Sequence, residues 1–125
     1  MEQQLTIPLP LSSLNKTLNA AKTHWSVYSR QKKAATKAVA VLALAAKLKP
    51  VGWPVWITFV WYPKDRRQDL DNLAAAQKDI LDGLQVARVL PTDGQRWVRA
   101  LTHVLRDPDP DDPRLLLFIS PWGKL

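Results

Sequence analysis

The sequence predicts an α+β fold, a mixed sheet with helices packed on it, in one small domain ordered β-α-β-α-β-β. Three observations carry the prediction. Residues 53–62 are a run of β-branched and aromatic side chains, the composition of a strand. Residues 29–48 are rich in Ala, Leu, Lys and Gln, all good helix formers, and residues 72–85 space apolar side chains at helical period. Two further apolar runs, 96–105 and 114–119, flank a proline-rich acidic turn.

Residues 4–9 alternate polar and apolar, as a short edge strand does, and Pro8 and Pro10 then stop pairing. Residues 11–29 form a mixed polar stretch with no assignable regular structure. Ser29 is suited to cap the first helix, and Pro50 to end it. Val39, Leu42 and Ala46 supply its buried stripe. Arg30, Lys32, Lys33 and Lys37 crowd its first half, where basic charge opposes the helix dipole. These residues face either an anionic partner or solvent.

The strand at 53–62 is apolar on both faces, as a central strand covered on both sides is. Its tryptophans are core residues on this reading rather than stacking platforms for bases. In the second helix, Leu73, Ala76, Ile80 and Leu84 form one apolar stripe. Asp71, Ala75, Lys78 and Asp82 share another side. The runs 96–105 and 114–119 are expected to pair as an antiparallel hairpin. Four aspartates between Asp107 and Asp112 are expected to form an acidic surface turn.

A chain of 125 residues, 46% apolar, fits a single domain over residues 1–125, with neither repeats nor a linker. The net charge of +7 points to a polyanionic partner, nucleic acid before an acidic membrane surface. With no Cys, disulfides and thiolate-ligated zinc are excluded. The two His, His24 and His103, stand in no ligand spacing. No signal-peptide pattern and no apolar run of membrane-spanning length is present, so a cytoplasmic protein is expected, with no membrane partner.

The chemistry centres on Arg66-Arg67-Gln68-Asp69-Leu70-Asp71-Asn72-Leu73. Two carboxylates this close repel unless a cation lies between them, and basic residues beside such a site suit a phosphate-bearing substrate. Oxygen ligands are what Mg²⁺ prefers. Asp69 and Asp71 would supply two, with a helix start beside them favouring anions. Asp93, just before a strand expected beside 53–62, is the candidate third. Lys78 is the candidate cation for transition-state charge, reaching back toward Asp71 across about two helical turns, roughly 10 Å. Taken singly, each residue has an ordinary explanation: a cap for the aspartates, a turn for Asp93, a solvated side chain for Lys78.

The Arg-Arg-x-Asp-Leu-Asp-Asn run, the helix after it, and Asp93-x-Gln95 opening a strand resemble the RusA family of Holliday junction resolvases. Ile7-Pro8-Leu9-Pro10, with Ser12, Ser13 and Asn15 behind, is similar to that family's N-terminal strand and turn. The likeness extends to about residue 105. It implies a homodimeric crossover junction endodeoxyribonuclease that resolves four-way DNA junctions by paired symmetric nicks in recombination and repair. It implies Mg²⁺ as cofactor, with Mn²⁺ able to substitute, and a phage or prophage origin is common in the family. Asp69, Asp71 and Asp93 would be the metal-binding catalytic carboxylates. Basic surfaces that would hold the DNA include Lys64, Arg66, Arg67, Arg96 and Arg99, with Asn72 beside them.

Two departures accompany the likeness. The family's lysine falls four residues after the second aspartate, which here is Ala75, and Lys78 lies three further on. The interval from Asp71 to Asp93 is also about three residues longer than usual. An insertion of about one turn near residues 73–77 explains both and nominates Lys78 for the lysine's role. The alternatives are a structure-selective DNA-binding protein without chemistry, and a nuclease for other branched nucleic acid.

Overall fold

A computed structural model describes residues 2–11 and 24–123, and of residues 24–33 the backbone alone. The elements are β1 (Gln3–Pro8), α1 (His24–Ala45), β2 (Val55–Tyr62), α2 (Leu70–Ala74), α3 (Gln77–Val86), β3 (Val98–Leu105) and β4 (Arg114–Pro121). The strands form one mixed sheet in the order β1-β4-β2-β3. The α+β expectation holds, with helices and a mixed sheet in a small domain.

β2 is central, as its composition predicts. It pairs in parallel with β3 and antiparallel with β4, and β1 closes the other edge against β4. The expected hairpin is therefore absent: β3 and β4 flank β2 instead of pairing with each other. The loop between them explains why. Arg106 N–H donates to the Trp61 carbonyl and Asp109 N–H to the Pro63 carbonyl, so the loop crosses the end of β2.

The core lies on one face of the sheet. Leu5, Ile7, Val55, Ile57, Phe59, Trp61, Leu115, Leu117 and Ile119 alternate inward, and all are buried. They meet Val39, Ala40 and Ala43 of α1, Leu73 of α2 and Ile80, Leu81 and Leu84 of α3. The opposite face carries Trp56, Thr58, Val60 and Tyr62 at intermediate exposure, so among the described residues β2 is covered by helices on one side only, where cover on both was expected.

Three expectations about the helices are corrected. α1 begins at His24, not near Ser29, so the basic residues lie in its body and the dipole penalty lapses. Of them, only Lys37 has a described side chain, which is exposed. The rest of the anticipated loop, including Ser12, Ser13 and Asn15, lies outside the described residues. The buried stripe of α1 is Ala35, Val39, Ala40 and Ala43, with Leu42 packed at its margin and Ala46 exposed. Lastly, the single helix expected over 72–85 is two, α2 and α3, separated at Ala75 and Ala76. There the Ala76 N–H bonds the Leu73 carbonyl, tightening the turn.

α1 ends before Pro50 with Lys47 in the left-handed conformation at φ 59°. The Lys47 N–H bonds the Leu44 carbonyl and the Leu48 N–H that of Ala43, the paired bonds of a Schellman cap. α3 ends the same way, with Arg88 at φ 62° and bonds from Arg88 to Gln85 and Val89 to Leu84. Gly83 is the contact point of the two helices. A Cβ there would stand 2.6 Å from Val39 Cβ and 2.8 Å from the Thr36 carbonyl oxygen.

Candidate active site

Asp69 occupies the N-cap position of α2, and its backbone carbonyl accepts the Leu73 N–H at 3.2 Å. Its side chain makes no capping hydrogen bond. The ordinary explanation of an aspartate at this position therefore does not account for its carboxylate. The Asp71 carboxylate accepts the N–H of its neighbour Asn72 at 3.0 Å. Both residues are exposed, and neither enters an ion pair among the described residues. Since α2 has five residues, it contributes less dipole than the longer helix expected from the sequence.

Lys78 and Asp93 do meet. Lys78 Nζ donates to Asp93 Oδ2 at 2.7 Å, and Asp82 Oδ1 lies 3.2 Å from the same nitrogen. Lys78 and Asp82 are one turn apart on α3, where opposite charges four residues apart face each other. Asp93 is delivered from the connection to β3, in a turn where the Gly94 N–H bonds Thr92 Oγ1. The hydrogen bond from Lys78 holds the Asp93 carboxyl below its ordinary value, and Asp93, then Asp82, hold the Lys78 ammonium above its own. Lys78 thus turns to Asp93 and Asp82, where the sequence suggested Asp71. The separation of α2 from α3 removes the continuous helix on which that reach was counted.

The two halves of the candidate site come from different connections. Asp69 and Asp71 follow the C-terminal end of β2, whereas Asp93 precedes the N-terminal end of β3. Because β2 and β3 are parallel, these are opposite ends of the strand pair. Among the described residues, no three His, Asp or Glu side chains form a group able to hold a metal ion. The carboxylates of Asp69 and Asp71 nevertheless fit a hard cation. They are oxygen donors, open to solvent, and no basic side chain pairs with them among the described residues.

The basic candidates have varied settings. Arg66 lies 3.8 Å from Asp107 and Arg67 lies 3.7 Å from Asp65, through highly exposed pairs that constrain them little. Arg96 lies over Trp97 and Arg99 over Trp122. Lys64, Arg67 and Asn72 line a cavity of about 470 Å³ between the end of β1, the end of β2 and α2. The acidic 107–112 loop is a surface turn as expected. Its Asp109 carboxylate and Asp112 carbonyl accept from Arg114, whose guanidinium lies 4.1 Å from the Tyr62 ring.

Sequence reasoning placed Asp82 on the face of Lys78 but gave it no role; the four-residue spacing was the available signal. It set His103 aside as a metal ligand and gave it no other role. Trp61 Nε1 donates to His103 Nδ1 at 3.0 Å, so the neutral ring carries its proton on Nε2, which donates to Gln77 Oε1 at 2.7 Å. The ring stacks on Phe59 at 4.3 Å. Burial pushes the His103 pKa down. Gln77 precedes Lys78, so this network fixes the start of α3 against β2 and β3. No local pattern in the sequence joins residues 61, 77 and 103.

No family model matches the chain, and no curated protein matches it. Among the described residues, no helix is long and apolar enough to cross a membrane.

Proposed function

We propose that the chain is a Mg²⁺-dependent endodeoxyribonuclease that resolves four-way DNA junctions, as its resemblance to the RusA family implies. One observation carries the reading: Lys78 and Asp93, both nominated from the sequence, are in contact at 2.7 Å. The tightened turn at Ala75 and Ala76 adds support, because it falls where an inserted turn would displace the lysine. Asp69 and Asp71 would hold the cation, with Asp93 the proposed third carboxylate. The chemistry those carboxylates would recruit with Mg²⁺ (or Mn²⁺) is a water nucleophile of lowered pKa and an offset to charge on the leaving oxygen. Lys78 supplies positive charge to the phosphate in its transition state. Lys64, Arg66, Arg67, Arg96 and Arg99 contact phosphates, which positions DNA without reading its sequence.

A homodimer belongs to this reading, since paired nicks need two sites related by a two-fold axis. The sheet face away from the helices suits a second copy. Trp56, Val60, Tyr62, Leu116 and Phe118 lie on it half-buried, with Val104 at the exposed edge. Arg114 on this face is offset by Asp109 and Asp112, and Arg106 lies at its edge beside Tyr62 and Val104.

The direct test is cleavage of a synthetic four-way junction in Mg²⁺, compared with linear and flap DNA. Asp71→Asn is expected to reduce cleavage by on the order of 10²-fold or more, the scale for losing one group that stabilises transition-state charge. Full activity in that variant would sink the assignment. The rival reading, a junction-binding protein without chemistry, is favoured by the absence of a three-carboxylate group among the described residues. Junction binding in EDTA with no cleavage in Mn²⁺ would establish it. Preference for flap or RNA substrates would instead make the chain a nuclease for other branched nucleic acid.

A further inference from the structure

The cavity beside α2 is not used by the carboxylate chemistry, yet it adjoins it through consecutive residues, Asp71 at the candidate site and Asn72 in the cavity wall. Its volume of about 470 Å³ lies within the range of small-molecule sites. The floor is apolar, built from Leu9, Leu11, Trp61 and Leu73. At the mouth stand two side-chain amides, Gln68 and Asn72, and two cations, Lys64 and Arg67. Asp65, also in the wall, accepts the Arg67 N–H and lies against its guanidinium, so Lys64 is left without a carboxylate among the described residues.

This combination selects a ligand class. A planar, largely apolar body suits the floor, and an edge with both donors and acceptors suits the amides, each of which offers a carbonyl and an NH₂. An anion attached to that body suits Lys64. A nucleobase carrying a phosphate has all three properties, and amide side chains are the usual readers of base edges. We propose that this cavity binds a nucleobase with its phosphate at Lys64. Resting on the nuclease reading, the inference makes the occupant a base extruded from the strand, whose backbone then passes Asp71. A base at a branch point is the cheapest to unstack, which favours branched over linear DNA.

The ligand can reach the cavity as a free mononucleotide or as part of a strand, and two measurements separate these sources. In the first, ¹⁵N-labelled protein is titrated with deoxyadenosine monophosphate and, separately, with deoxyribose 5-phosphate. The Gln68 and Asn72 side-chain amides are expected to shift saturably with the nucleotide only. Equal shifts with the sugar phosphate would reduce the site to an anion contact and overturn the proposal. In the second, 2-aminopurine is placed at successive positions around the branch of a four-way junction, in EDTA. One position is expected to change fluorescence severalfold on binding, and the Gln68→Ala/Asn72→Ala variant to lose most of that change. Both residues are exposed and make no side-chain bond that the fold uses, so the variant is expected to fold. A junction that binds with no change at any position would overturn the extruded base and leave the nuclease reading standing. Nucleotide binding without any junction binding would uphold the cavity and sink that reading.

Discussion

Lys78 Nζ lies 2.7 Å from Asp93 Oδ2, although the two residues are 15 apart in sequence and reach each other from α3 and from the connection to β3. The pair ties the helix to the turn that enters the strand. Because the hydrogen bond from Lys78 is the main cause of the lowered Asp93 pKa, its removal has a definite sign. In Lys78→Met, the Asp93 carboxyl is expected to titrate higher, back toward its ordinary value of 3.8. Carboxyl-resolved NMR titration measures this directly. A depressed carboxyl contributes stability above that value and loses it as pH falls through the folded value, so the variant is expected to lose less stability on acidification. The pair is largely exposed, so the effect on stability is small beside the shift in titration.

Gly83 governs how closely α3 approaches α1. Replacing it by Ala gains helix propensity of about 0.5–1 kcal/mol. It also forces a methyl group to within 2.6 Å of Val39 Cβ and 2.8 Å of the Thr36 carbonyl, where backbone must move. Overpacking of this kind costs about 1–3 kcal/mol, so Gly83→Ala is expected to be destabilised in urea unfolding. A variant as stable as the parent would show that the helices separate freely.

His103 makes a pH-dependent contribution of the opposite kind to a salt-bridged histidine. Its folded pKa lies below the ordinary 6.5, so the unfolded chain takes up the proton first. Stability is therefore complete above about pH 6.5 and falls as pH drops below it, until the folded group also titrates. Protonation would also place an N–H at Nδ1, facing the Trp61 N–H that it now accepts. The difference in thermal midpoint between the parent and His103→Gln is expected to shrink from pH 7.5 to pH 5. A constant difference would remove His103 as the cause.

The uncovered sheet face predicts the oligomeric state. Val60→Asp places a charge at its centre, on a side chain that the helix-facing core does not use. It is expected to leave a folded monomer where the parent is a dimer, as read by sedimentation equilibrium. A parent that is itself monomeric would remove the two-fold arrangement from the functional reading.

Much of this architecture was legible because it rests on local pattern. The β2 run, the edge strand ended by Pro8 and the strand at 114 each announce themselves by composition and alternation. That β3 lies beside β2 was expected and holds; that it runs parallel to β2 and does not pair with β4 was not legible, because period-two alternation gives a strand but not the direction of its partners. The acidic turn suggested a hairpin, and only the bonds from Arg106 and Asp109 to the end of β2 reveal a crossing. At the candidate site, the identities of Asp69, Asp71, Lys78 and Asp93 could be nominated from chemistry. Which of them touch depends on the turn at Ala75 and Ala76, whose residues are ordinary helix formers and give no sign of a break. The cavity was equally hidden, since Leu9, Gln68 and Asn72 come together only through the fold.

The capped ends of α1 and α3 bear on the meaning of the basic composition. Lys47 and Arg88 each occupy a conformation that glycine adopts more easily, and each sits where the negative end of a helix dipole attracts a cation. Together with Arg114, held between two aspartates, they form a set of positive residues whose position is explained by the folded chain itself. On the proposed nuclease reading, DNA would be attracted through local groups such as Lys64, Arg67, Arg96 and Arg99 and not through the net charge of +7 as a whole. Salt dependence of DNA binding should accordingly report a handful of ion contacts, well short of a count of all its lysines and arginines.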